Sequence, residues 1–361
     1  MKFYIRFSLV CVFLLSISVN CFGQLENSEQ LERKDFVSDA SFVVGTYQPK
    51  AKDFSAEAAA KAANDFLKLL SEKDRERVAL KLDNGERRQW TNLPARDSAG
   101  GVRLAKMNES QIKAACELLR SMMSESGYSK MVSIMIADDQ LLRGGRPRRG
   151  FGTEYFSVVI FGTPSEDSKW GVQLDGHHVG LNFSVEKEKL TMSPSFIGSQ
   201  PTSYEIGDKK VSPLPGEIKD AFVLVQSLTD DQRKQAVIRP RRVDLRSGPG
   251  TDGKVPEAKG VKCKDFNDEQ KSALLKLIRN WVSNMPKDTA QQRMKQIEDE
   301  LVETHFSWNG ATKTGSDISF AIQGPSLIIE YACQDLGGNP LQHIHTMYRN
   351  PKNEYGGQLG K

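Results

Sequence analysis

Four of the five histidines in the chain fall in two pairs, His177-His178 and His343-Ile344-His345. Neutral imidazole is a nitrogen ligand for zinc, copper, nickel or ferrous iron, and three protein ligands leave a position open for water or substrate. If 343–345 is a strand, its period of two puts His343 and His345 on one face, where both can reach one ion. Consecutive strand residues face opposite sides, so only one of His177 and His178 is expected to join them. The expectation is a three-histidine site for a divalent transition metal (zinc, copper or iron), drawn from His177, His178, His343 and His345. The competing account is four hydrogen-bonded core or surface imidazoles. His305 stands outside the pattern.

Glu330, in Ile328-Ile329-Glu330-Tyr331, is a carboxylate inside an apolar strand. Burial there raises a carboxyl pKa unless the group is paired. It is a candidate general base, fourth ligand or partner of a ligand, and its competing reading is a salt bridge to Arg349. Arg349, Asn182, Asn350 and Asn353 lie near the histidines in sequence and could orient a substrate, although Asn after a strand is also ordinary turn chemistry.

The elements that must carry these residues are written twice. An apolar residue, a Ser, Thr or Asn, two polar residues and then Asp or Gln recur at Leu70-Ser71-Glu72-Lys73-Asp74, Met107-Asn108-Glu109-Ser110-Gln111, Leu228-Thr229-Asp230-Asp231-Gln232 and Phe266-Asn267-Asp268-Glu269-Gln270. The second residue is an N-cap, and Gln three positions on can reach back to it. The first and third, and the second and fourth, are almost equally spaced. The matches continue from Asn108, Gln111, Ala114 and Leu118 to Asn267, Gln270, Ala273 and Leu277, from 137–142 to 297–302, and from Gly162-Thr163-Pro164-Ser165 to Gly324-Pro325-Ser326. We therefore expect an α+β fold of two pseudo-repeated halves, 51–210 and 211–361, each with helices followed by antiparallel strands. Periodicity places helices at 56–70, 108–126, 217–228 and 267–284, and strands at 155–161, 170–183, 318–323 and 327–333. On this reading the histidine pairs occupy comparable points of the two halves. The Gly- and Pro-rich stretch 239–262 is a connector or surface loop, and 143–149, rich in Arg and Gly, is a solvated loop with some capacity for an anion.

Residues 1–23 have the parts of a secretory signal: Lys2 and Arg6, an apolar core over 7–19, and small Cys21 and Gly23 before a cut at Gln24. A polar segment, 24–50, follows. The apolar run is short for a membrane span and no second one appears, so export to the periplasm or beyond, without stable membrane insertion, is expected. Three cysteines would remain, Cys116, Cys263 and Cys333, without the spacing of a thiolate zinc site. Cys116 follows a helical apolar pattern and reads as core, and one pair could still bridge. Charged residues are 27% and hydrophobic residues 38%, an ordinary globular balance. The net charge of +4 includes Lys2 and Arg6, and gives no reason to propose nucleic acid as a partner. There is neither a nucleophile elbow nor a phosphate loop.

Trp90 with Pro94, Gly162-Thr163-Pro164, Trp170-Gly171, Gly176-His177-His178-Val179-Gly180-Leu181-Asn182, Ser193-Pro194-Ser195-Phe196-Ile197-Gly198, Phe306-Ser307-Trp308-Asn309-Gly310, and His343-Ile344-His345 through Arg349, Pro351 and Tyr355-Gly356 resemble the bacterial family named domain of unknown function 3500. The resemblance spans nearly the whole chain after residue 23. It implies secreted or periplasmic proteins without an assigned activity. Gln342 departs from the pattern, in which Asn commonly precedes the HIH segment, and relatives continue past the Tyr-Gly pair into a histidine-bearing tail. Two functions fit these residues: an exported metal-dependent enzyme, hydrolytic or redox, acting on a small molecule with Glu330 and Arg349 as catalytic groups, or a non-catalytic metal-binding or envelope recognition protein.

Overall fold

Four N-cap side chains start helices where the repeated signature lies. Asn108, Thr229 and Asn267 each accept from the backbone N–H of a Gln three residues on, whose side chain accepts from the cap's own N–H, forming reciprocal capping boxes. Ser71 accepts from Asp74 N. Each such cap is worth about 1 kcal/mol. The structure is a computed structural model that describes residues 53–94, 100–142 and 150–359. The expected signal segment, the polar stretch to residue 50 and the 143–149 loop lie outside the described residues.

The helices are α1 (Ala56–Lys68), α2 (Glu72–Val78), α3 (Glu109–Met122), α4 (Glu125–Gln140), α5 (Pro215–Ser227), α6 (Asp230–Ala236), α7 (Asp268–Val282) and α8 (Lys287–Asp299). Two were not expected as separate elements. α4 lacks a single apolar stripe because Met131 through Asp138 are all buried. α8 is the opposite case, so polar that only Arg293 and Ile297 are buried. No described helix is long and apolar enough to cross a membrane.

The strands are β1 (Ala79–Leu80), β2 (Val102–Arg103), β3 (Ser157–Phe161), β4 (Lys169–Gly176), β5 (Val179–Glu186), β6 (Lys189–Ser199), β7 (Tyr204–Ile206), β8 (Lys209–Val211), β9 (Val237–Arg239), β10 (Val261–Lys262), β11 (His305–Asn309), β12 (Ser319–Gly324), β13 (Leu327–Cys333) and β14 (Ile344–Arg349). Twelve form one sheet in the order β1-β3-β4-β5-β6-β14-β13-β12-β11-β10, with β2 on β3 and β9 on β11, while β7 and β8 pair apart. A short strand runs parallel to the first strand of each meander, β1 on β3 and β9 on β11. The remaining pairings are antiparallel, and the halves meet where β6 pairs with β14. The fold is α+β, as expected, with a mixed sheet.

Residues opposed across an antiparallel pair share a face. The register therefore puts Val158, Leu174, Leu181, Thr346, Tyr331, Phe320 and Phe306 on one side. That face is apolar and the helices cover it. Trp281 of α7 meets Phe320 at 6.3 Å and donates to Thr346 Oγ1, and Phe222 of α5 meets Trp308 at 5.2 Å. The opposite face carries Asp175, Gln173, Asn182, His345, Glu330 and Ser319. Segments without regular strands lie over it. Trp90 and Tyr355 join Phe196 and Met347 in a small apolar island, and Leu245 packs against it.

Candidate metal centre

The centre lies on the polar face where the two halves meet. His343 precedes β14 in extended backbone (φ −140°, ψ 116°), and its carbonyl accepts from Gln334 N. His345 lies within β14 opposite Gly198 of β6. A Cβ at Gly198 would stand 2.7 Å from the Ile344 carbonyl oxygen and 3.0 and 3.1 Å from Cδ2 of His178 and His345, so only glycine leaves room for the two rings. His177 and His178 form the turn between β4 and β5. His178 holds φ 66° in the left-handed region, and its carbonyl accepts from Gly198 N at 2.8 Å.

This brings His178 Nε2 to 2.9 Å and His345 Nε2 to 3.0 Å from His343 Nε2. The His343 Nδ1–H donates to the Leu336 carbonyl at 2.5 Å, which leaves its Nε2 lone pair directed at the other two rings. Two nitrogens bound to one ion at about 2.0–2.1 Å, at angles between about 90° and 110°, stand about 2.9–3.4 Å apart. The donor set fits, and His178, His343 and His345 form a group that could hold a metal ion. His178 and His343 are 1% and 3% exposed, whereas His345 is only partly buried, which leaves the cluster one open side. Burial holds all three imidazoles below their usual pKa, His345 at about 3 and His178 well down, with the neighbouring rings adding to the effect on both. Each ring is thus neutral near pH 7, the form that coordinates.

The reasoning that separated His177 from His178 does not hold. They are turn residues rather than strand residues, and their rings stack at 3.7 Å on the same side. His177 still points its Nδ1 elsewhere, to Asp138 Oδ1 at 2.5 Å. Asp138, at the end of α4, is fully buried and its second oxygen accepts from Gly152 N at 2.6 Å. Asp138, His177 and His178 make a second group of potential ligand atoms, all within 4.8 Å of one another. Sequence reasoning missed Asp138. Its only signal is a carboxylate closing the apolar run 131–137.

The histidine pairs do not occupy corresponding points of the two halves. The β4–β5 turn corresponds in strand order to the β12–β13 turn at Pro325-Ser326, and β14 corresponds to β6. The likeness of Gly162-Thr163-Pro164-Ser165 to Gly324-Pro325-Ser326 also joins different turns, β3–β4 with β12–β13. The rings meet because β6 and β14 are neighbours, not because a site was repeated.

Glu330 shares the polar face with His345, one residue pair along, but belongs to neither group. It accepts from Arg246 N at 2.9 Å, Ser247 N at 2.8 Å and Arg246 Nε at 3.2 Å. Its salt bridge is therefore to Arg246 rather than Arg349. Arg349 pairs with Glu354 and reaches Thr251 at 3.3 Å. Asn182 joins Gln173 to the Pro194 carbonyl, Asn350 N donates to Ser193, and Asn353 N donates to the Asn350 carbonyl. Asp175, on the same face, accepts from Thr91 N, and burial pushes its carboxyl up to about 7 against the backbone hydrogen bonds from Thr91 and Gly176. Cys116, Cys263 and Cys333 are all buried, and none of them is in a disulfide among the described residues.

Residues 52–357 match the model of a family described as a protein of unknown function, DUF3500. Neither the curated proteins nor the solved structures provide a match.

Proposed function

The chain belongs to the DUF3500 family, and we propose that it is an exported metal-dependent enzyme centred on His178, His343 and His345. The observation that carries this reading is the convergence of three neutral imidazoles, two of them buried and one partly so, with Nε2 atoms 2.9 and 3.0 Å apart, around one ring oriented by a backbone carbonyl. A bound zinc, copper or iron ion would supply Lewis acidity toward a substrate oxygen, or electron exchange in the case of copper or iron. The protein's part is to hold the donors on rigid strands and a tight turn, and to expose one side of the cluster at His345. Lys2, Arg6 and the apolar stretch 7–19 support export.

A second reading, a non-catalytic metal-binding or envelope recognition protein, is favoured by one observation. Glu330 and Arg349 already have partners, in Arg246 and Ser247 and in Glu354 and Thr251. Metal analysis of protein purified without a histidine tag tests the common premise. About one equivalent is expected per chain, lost in His343→Ala and His345→Ala with circular dichroism unchanged. Metal-free wild-type protein from replete medium would end both metal readings. Turnover of an ester, peptide or small-acid panel by the loaded protein, abolished by His345→Ala, separates enzyme from carrier.

A further inference from the structure

We propose that Asp138 is a positioning residue for the three-histidine group, acting through His177 as a clamp on the turn that presents His178. The inference rests on the metal reading above and adds to it the residue that holds one ligand in place.

The His178 backbone sits at φ 66°, outside the conformations most side chains adopt. The His178 ring has no hydrogen bond on its Nδ1 to orient it among the described residues. His343, by contrast, is oriented by the Leu336 carbonyl. Outside the three-histidine group, the His177 ring lies on the His178 ring at 3.7 Å and 29°. Phe151 closes the other approach to His177, edge-on at 4.7 Å. His177 is itself tied by its Nδ1–H to Asp138 Oδ1 at 2.5 Å. The chain of restraint runs from α4 through Asp138 and His177 to His178.

The residue type fits the task. Asp138 accepts one N–H on each oxygen, from His177 Nδ1 and from Gly152 N. Asparagine has the same shape but only one oxygen, so one of the two donors would face an amide NH2. The 2.5 Å spacing to His177 Nδ1 also argues for a hydrogen bond and against joint ligation, because two donors on one ion stand about 2.9 Å apart or more.

The other half of the sheet provides a comparison. Glu300, just after α8, accepts from Ser326 N at 3.0 Å and from the Ser326 hydroxyl, gripping the β12–β13 turn. A carboxylate near the end of a helix thus holds a hairpin turn in both halves. Only in the first does the gripped residue stack on an imidazole of the metal-compatible group.

The test compares cobalt(II) binding, by affinity and by visible absorption, in wild-type protein, Asp138→Asn and Glu300→Gln. Asp138→Asn is expected to weaken binding about tenfold to a hundredfold and to change the cobalt spectrum. Glu300→Gln is expected to lower Tm and leave affinity and spectrum as in wild type. If Asp138→Asn does not fold, His177→Phe keeps an aromatic ring in the turn, removes the donor, and is read in the same way. Wild-type-like affinity and spectrum in the Asp138 or His177 variant would overturn the clamp and leave the metal reading standing. Wild-type protein that takes up no cobalt would overturn the metal reading itself, and the clamp with it. Two equivalents in wild type, one of them lost in Asp138→Asn with the other unaltered, would make Asp138 a ligand and overturn the positioning role.

Discussion

At the scale of single residues, the polar face buries titratable groups whose cost depends on pH. Asp175 is the clearest, because burial raises its carboxyl from 3.8 to about 7. The folded state then holds a proton that the unfolded chain releases, between about pH 4 and pH 7. A pKa raised by folding contributes stability below the unfolded value, and that contribution is lost as pH rises through the folded one. Asp175→Asn removes the ionisable group while its amide oxygen can keep the bond from Thr91 N. Its Tm is expected to exceed that of wild type by more at pH 8 than at pH 4, as thermal melts at the two values would show; an equal difference at both would count against the shift. The residue types of the candidate centre were legible in sequence, since four paired histidines among five invite a ligand reading. Asp138 was not legible, because its role comes from where α4 ends relative to the β4–β5 turn.

At the scale of elements, the caps were the most readable feature and the strap over the polar face the least. Asn108, Thr229 and Asn267 begin helices because a short side-chain acceptor meets N–H groups within its own first turn, a local event. Glu330 looked like a catalytic carboxylate from its place in an apolar strand, yet it fastens Arg246 and Ser247 of the 240–260 segment to β13. Glu330→Ala leaves those backbone N–H groups without their acceptor, at about 1–3 kcal/mol for each buried donor. Faster limited proteolysis within 240–260 is expected, with metal content unchanged. Loss of metal without faster cleavage would return Glu330 to the centre. Helix α4 escaped the periodicity reading for a related reason: an element buried on nearly every side shows no stripe.

At the scale of the molecule, the candidate centre sits beside the seam where β6 pairs with β14. His178 comes from the first half, and His343 and His345 from the second, brought together across β6 and β14. An ion held by both halves binds the folded state and not the unfolded one. Metal at a hundred times its dissociation constant should therefore stabilise the protein by about 2.7 kcal/mol. The expected result is a Tm that rises on adding metal to the metal-depleted wild type and does not rise in His178→Ala, whose missing ligand belongs to the opposite half. A rise of the same size in both would place the bound ion elsewhere.

The sequence by itself determined what depends on neighbours along the chain: the N-caps, the extended run that carries His343 and His345, the α+β class and the ligand chemistry of imidazole. Only the tertiary structure decided which of His177 and His178 meets them, that Asp138 grips the other, and that Glu330 is taken by Arg246. Those outcomes depend on which strands pair at the seam and on where a helix end meets a distant turn. Contacts between residues far apart in the chain leave no periodicity to read.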